Sequence, residues 1–233
     1  MPGTDPAWTV VERCAAAGEL VTSLPDAGGA RLACLCVPVA PALVLGSAQQ
    51  TSAADAAALD RRGVDVVHRR SGGGAVLVAP ADQVWLDVFL PSRDPLVVAD
   101  VGRSAWWFGE LWRSALTSCG LPPGDLEVHR AGLEPGPWSR IACFAGLGPG
   151  EVTYRGRKLV GISQRRTRAG AWLHSMAPSR FDSALLVELL GLDQAGRDTL
   201  RRVLDRCVAT LPVAPERVTS ALRVALARRD AGR

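Results

Sequence analysis

The chain has 233 residues, of which 48% are apolar and 21% charged, with a formal net charge of +4. This composition excludes a disordered chain and fits one large domain with a sizeable core, or one domain with a small appendage. The longest apolar run, Leu32 to Gly46, is broken by Pro38 and Pro41, and no basic-then-apolar leader is present, so no membrane span is predicted and a cytoplasmic location is expected. The six cysteines then read as free thiols, and with three histidines and no CxxC pair there is no zinc signature.

In chain order, Leu32 to Leu45 reads as buried strand, with Cys34 and Cys36 as core residues. Ser52 is placed to cap a helix over Ala53–Arg62, which Gly63 ends. Val64–His68 is a short strand running into Arg69-Arg70-Ser71-Gly72-Gly73-Gly74, and strand character resumes at Ala75–Val78 and again at Val84–Leu90. Pro95 to Cys119 reads as a long helix with Trp106, Trp107, Leu111 and Trp112 for packing, stopped by Gly120. Pro122 to Gly150 is rich in Pro and Gly, with short strand candidates near Leu126 and Ile141. A hairpin follows: Glu151–Tyr154, a turn at Arg155-Gly156, and a return strand over Arg157–Arg166. Ala171–Met176 is a further strand. From Phe181 the chain reads as two or three helices punctuated by Gly191, Gly196 and Pro212. Short turns between strands predict a mixed, largely antiparallel sheet with flanking helices, an α+β arrangement.

The C-terminal arginines, from Arg197 to Arg233, are interleaved with Leu and Val at helical spacing. They read as solvated helix faces rather than a nucleic-acid surface.

Two constellations carry chemistry. In Arg69–Ala75, three consecutive glycines permit close approach of a ligand to the backbone, and the two arginines offer charge and bidentate donors for an anion. The second is Lys158 in Gly156–Arg166. It is the single lysine among 27 basic residues, so its position calls for a compact point charge rather than a planar fork. Gly161, three residues on, opens space beside it.

Together these two elements resemble the lipoate–protein ligase family, within the larger biotin/lipoate ligase and octanoyltransferase group. The resemblance rests on RRSGGGA at Arg69–Ala75 and KLVGISQRR at Lys158–Arg166, with Pro41–Gln49 similar to the family's strand and turn before its first helix. It covers roughly Leu32 to Met176. It implies a biotin/lipoate ligase-like catalytic domain, taken as residues 1–180; the helices of 181–233, too short for the second domain often found in the family, read as a C-terminal extension packed on it. It also implies an apolar tunnel for an eight-carbon acyl chain. Carried over by residue, Lys158 holds the acyl carbonyl or the phosphate of an adenylate. Arg69, Arg70, Ser71, Gly72, Gly73, Gly74 and Ala75 line the substrate pocket, joined by Gly161 and by His174 on the following strand.

The resemblance implies protein lipoylation, attaching a lipoyl or octanoyl group to a lysine of a lipoyl domain. The acceptor would belong to a 2-oxoacid dehydrogenase complex or be the glycine-cleavage carrier protein. Two routes stay open. A ligase uses lipoate, ATP and Mg2+; a transferase takes a thioester, for instance from acyl carrier protein, and needs no cofactor. Cys143, in Ile141-Ala142-Cys143-Phe144, resembles the Cys-Phe of cysteine-dependent octanoyltransferases, and Lys158 nearby is expected to favour its thiolate. Ligases usually carry Asn-Asp before the hairpin, where this chain has Gly148-Pro149-Gly150-Glu151. A non-catalytic lipoate or biotin binder is the third reading, and it turns on whether Lys158 and Cys143 meet in one pocket.

Overall fold

The computed structural model describes residues 7–23 and 28–231, so Arg233 of the C-terminal group lies outside the described residues. The apolar run from Leu32 divides at Pro38 and Pro41 into two strands that enter different sheets. These are β2 (Arg31–Pro38) and β3 (Ala42–Leu45). Two elements precede them, β1 (Trp8–Ala15) and the short helix α1 (Ala17–Thr22). The larger sheet contains β1, β2, β6 (Gln83–Pro91), β7 (Leu126–Val128), β8 (Val152–Tyr154), β9 (Arg157–Arg166) and β10 (Gly170–Pro178). Its order is β1-β2-β6-β10-β9-β8-β7, antiparallel throughout except for the β1–β2 pair. A smaller sheet packs β3 between β4 (Asp65–His68) and β5 (Val76–Val78). The expected mixed, largely antiparallel sheet with flanking helices is the observed architecture.

Helix boundaries depart from the sequence reading where side chains compete for backbone groups. Asp55, not Ser52, caps α2 (Ala56–Arg62), accepting from Ala58 N at 3.0 Å, while Thr51–Ala53 forms a separate 3-10 turn. The helix expected from Pro95 begins at Arg103 and runs to Ser118 (α3). Upstream, the Asp94 carboxylate is committed elsewhere: it accepts from Leu96 N at 2.9 Å and pairs with Arg31 at 2.7 Å. Asp100 then accepts from Arg103 N at 3.0 Å and sets the start of α3. After β10 come α4 (Ser183–Glu188), α5 (Gln194–Cys207) and α6 (Pro215–Ala231). Gly196 does not interrupt α5: its N–H is bonded by the capping Asp193 at 2.8 Å. The strand candidate near Ile141 is a single bridge between Ala75 and Ala142 followed by a 3-10 turn, Cys143–Ala145.

Three apolar clusters result. One lies between α3 with α6 and one face of the large sheet, around Phe108, Trp112, Leu86, Leu159 and Leu222. A second joins α2, α4 and α5 to the small sheet and Phe144. The third lies between the two sheets and under α1, where Cys34, Cys36 and Trp85 face Val44 and Val78. Several C-terminal arginines serve the fold: Arg197 pairs with Asp55, Arg223 with Glu12, and Arg217 donates to the Cys119 carbonyl.

The Arg31–Asp94 pair has 1% side-chain exposure on both partners, so losing one charge leaves the other in a low-dielectric setting. Asp94→Asn is expected to lower unfolding free energy by about 3 kcal/mol. A urea titration at unchanged m-value measures this.

Candidate functional site

The glycine loop links β4 to β5 and is shaped by its own arginine. Arg69 turns back on the chain, its guanidinium donating to the Gly72 carbonyl at 2.8 Å and the Gly74 carbonyl at 2.8 Å. It is buried, and burial lowers its pKa from the ordinary arginine value, while the charge of a Cys143 thiolate opposes that shift. Here the donors expected to face an anion staple the loop, while Arg69 also lines the slot between the two sheets. Arg70 is exposed, and Ser71 is buried with its hydroxyl 2.9 Å from that of Ser163 on β9.

Gly73 has φ +101°, a conformation that a side chain resists. At Gly74 a Cβ would lie 2.6 Å from Ala142 N, so only glycine lets the loop meet the 141–143 segment. The two backbones are then bridged by Ala75 N to Ile141 O at 2.8 Å and Cys143 N to Ala75 O at 2.9 Å. Cys143 is thereby fixed against the glycine loop.

Lys158 lies on β9, between β10 and β8, and is 5% exposed, far from the usual state of a strand lysine on an open edge. Its ammonium meets three acceptors: Glu151 Oε2 at 2.7 Å, the Cys143 carbonyl at 2.8 Å and the Gly146 carbonyl at 3.0 Å. It also lies 5.1 Å from the centroid of the Phe144 ring. Glu151 is equally committed: Oε2 accepts from Gly148 N at 2.7 Å and Oε1 from Ile162 N at 3.0 Å. Gly161 makes room for Phe144, whose ring carbons would stand 3.3–3.4 Å from a Cβ there.

This arrangement changes the role read for the lysine. Its three N–H donors are matched by protein acceptors, and its charge is balanced by a buried carboxylate. It grips the backbone on both sides of the 143–146 turn and does not face the Cys143 thiol as an uncompensated cation. Arg69, whose own pKa responds to a Cys143 thiolate, is a second cation near this side chain.

Two spaces meet at Cys143. One is an open cavity of about 650 Å3, lined by Gly72–Gly74, Arg140, Cys143, Glu151, Lys158, Ile162 and Ser163 among others. The other is a narrow apolar slot of about 60 Å3 between the two sheets, lined by Val21, Val44, Val76, Val78, Trp85, Phe144, Met176 and His174. Cys143, Ile162 and Ser163 line both and so mark the mouth of the slot. Lys158, Cys143 and the glycine loop thus share one cavity, and Gly161 and His174 line the slot behind it.

One further pair could not be read from the sequence. His174 Nδ1 lies 2.7 Å from Asp87 Oδ2 on β6, and Asp87 Oδ1 accepts from Trp85 Nε1 at 2.6 Å. The partners lie 87 residues apart in sequence. Only the β6–β10 register, in which His174 faces Asp87, brings them together.

A sequence model of the family described as lipoyl protein ligase A/B catalytic domain matches residues 12–221, most of the chain. The chain belongs to this family. Among curated proteins it is 26% identical over 161 residues to the octanoyltransferase LipM of Exiguobacterium sp., covering 66% of this chain and 56% of that protein. It is 32% identical over 127 residues to LipM of Moorella thermoacetica, covering 54% of this chain and 45% of that one. The chain therefore spans about half the length of these relatives. The fold is that of lipoate–protein ligases. A bipartite ligase from Thermoplasma acidophilum, described with its E2 lipoyl domain, superposes with TM-score 0.66 at 17% identity, covering 85% of this chain and 71% of that one. A lipoate–protein ligase A bound with ATP gives TM-score 0.67 at 15% identity, covering 96% and 85%.

Removing the carboxylate beside a buried ammonium costs more than removing the pair. Glu151→Gln is expected to destabilise the protein by about 3–5 kcal/mol. Glu151→Leu combined with Lys158→Met is expected to cost less than Glu151→Gln alone, and a chemical-denaturation cycle over these variants measures the coupling.

Proposed function

We propose that the protein is a cysteine-dependent acyltransferase that moves an octanoyl or lipoyl group from a carrier thioester to a lysine of a lipoyl domain. The observation supporting this is the position of Cys143, half-buried at the junction of an open cavity and an apolar slot. The slot suits the alkyl chain, since burying each methylene stabilises the bound state by about 0.8 kcal/mol. The cavity leaves space for the donor and then the acceptor. Octanoyltransferase relatives among curated proteins support the same reading.

In the first step the Cys143 sulfur, as thiolate, attacks the thioester carbonyl. The carrier thiolate leaves and takes up the proton lost from Cys143. In the second step a neutral lysine amine attacks the Cys143 thioester, an amide forms, and the amine proton returns to the cysteine sulfur. Arg69, which lines the slot with Cys143, places a positive charge near the sulfur. Lys158 holds the 143–146 turn so that sulfur stays at the slot mouth. The expected acceptors are lipoyl domains of 2-oxoacid dehydrogenase complexes or the glycine-cleavage carrier protein. The expected donor is acyl carrier protein and the expected compartment the cytoplasm. No helix among the described residues is long and apolar enough to cross a membrane.

The ligase route would require ATP and Mg2+. The donor set does not fit the metal: both oxygens of Glu151, the carboxylate lining the cavity, are already bonded within the protein.

Incubation with octanoyl carrier protein is expected to add one octanoyl mass to the chain, located on Cys143 by peptide mass spectrometry. Cys143→Ser is expected to abolish transfer to an unmodified lipoyl domain, and full transfer by that variant would exclude the thioester route. Lys158→Arg keeps the charge but crowds Phe144 and the turn, and thioester formation is expected to fall about a hundredfold, comparable to losing a positioned catalytic donor. Lipoate-dependent ATP–pyrophosphate exchange is expected to be undetectable.

A further inference from the structure

An amine that attacks a thioester needs an acceptor for its N–H, and most acceptors in the wall of the open cavity are taken. Glu151 Oε1 and Oε2 accept from Ile162 N and Gly148 N, and Oε2 also pairs with Lys158. Gln49 Oε1 accepts from Gly46 N at 2.9 Å. The Gly72 and Gly74 carbonyls accept from Arg69, and those of Cys143 and Gly146 from Lys158. Among the carboxylate and amide oxygens of the lining side chains, Gln164 Oε1 alone has no hydrogen-bond partner.

That oxygen is buried, a state in which polar atoms are nearly always paired. The amide is held at its other end, where Nε2 donates to Ser104 Oγ at 3.4 Å. Ser104 spends its own hydrogen on the Leu96 carbonyl, which sets the nitrogen of Gln164, not the oxygen, toward Ser104. The bond to Ser104 is long and the terminal amide torsion is soft, so Oε1 turns into the cavity at small cost. Gln164 follows Ser163, which borders both the cavity and the slot, and shares the cavity with Cys143.

Charge at this wall points to the same kind of guest. A carboxylate would hold a lysine as ammonium, which has no lone pair for attack, whereas an amide oxygen accepts without that effect. The carboxylate lining the cavity, Glu151, is balanced by Lys158. Arg140 lines the cavity and has no carboxylate partner among the described residues, and a nearby cation favours the neutral amine.

We infer that Gln164 binds the acceptor lysine, accepting from its ε-amine and aiming the nitrogen lone pair at the acyl carbonyl on Cys143. This rests on the cysteine route proposed above. The neutral amine brings two N–H groups. Its nitrogen attacks the carbonyl carbon, the C–N bond forms and the C–S bond breaks. One N–H proton passes to the departing Cys143 sulfur, and the other remains as the amide N–H, bonded to Gln164. The nitrogen gains positive charge as it attacks, so the bond to Oε1 is stronger in the transition state than before it and raises the rate.

The two half-reactions, measured separately on the full chain, test this. Thioester formation from octanoyl carrier protein is followed by mass spectrometry. The isolated acyl-enzyme is then mixed with unmodified lipoyl domain, and its conversion to amide and its hydrolysis by water are timed. Gln164→Met keeps the side-chain length and removes the oxygen. In this variant thioester formation and hydrolysis are expected to stay within about twofold of the natural chain. Amide formation is expected to fall about thirtyfold, mostly in kcat, the loss of one hydrogen bond to a developing charge. Gln164→Asn, whose carbonyl is one carbon short, is expected to fall between the two, and it serves where the methionine variant fails to fold. Unchanged amide formation in the variants, or an equal fall in all three rates, would overturn the inference. A natural chain that forms no thioester would instead overturn the transferase reading, and this inference with it.

Discussion

A buried ammonium needs a counter-charge, and the Lys158–Glu151 pair meets that need in the wall of the cavity. From it follow the other features of the site. With its charge balanced, Lys158 spends its remaining donors on the Cys143 and Gly146 carbonyls and closes the turn between them. Glu151 bonds Gly148 N and Ile162 N, tying the loop before the hairpin to the return strand. One ion pair thus joins β9, the hairpin approach and the turn that carries the cysteine. The glycine loop grips the same turn from the opposite side through Ala75.

The geometry separates two tasks that one lysine seemed to combine. Positioning of the turn falls to Lys158, while Arg69 is held in place in the slot lining beside Cys143 by the carbonyls of its own loop. This division suits thioester chemistry, which needs a fixed sulfur at the end of an apolar slot.

Much of this was legible in the sequence because its signals are local. The GGG run and the Arg155-Gly156 turn each follow from short-range backbone constraints, and both hairpin turn residues have positive φ as the turn requires. The single lysine in an arginine-rich chain marked a special position. What stayed hidden depends on tertiary register or on competition for hydrogen bonds. The Asp87–His174 pair needs β6 beside β10, and the late start of α3 needs Asp94 to be drawn to Arg31. The commitment of Glu151 to Lys158 could not be read either, since these residues lie seven apart in sequence and the hairpin register shifts between them, with Leu159 on β9 as the extra residue opposite Val152 and Thr153.

The central claim is that Cys143 carries the acyl group with its chain running between the two sheets. A crystal structure of the protein acylated on Cys143 tests this directly. The account predicts that the chain passes Gly161 and ends against Trp85, Met176 and His174, with the Lys158–Glu151 pair intact. A chain lying in the outer cavity, with the inter-sheet slot still closed by side chains, would contradict it.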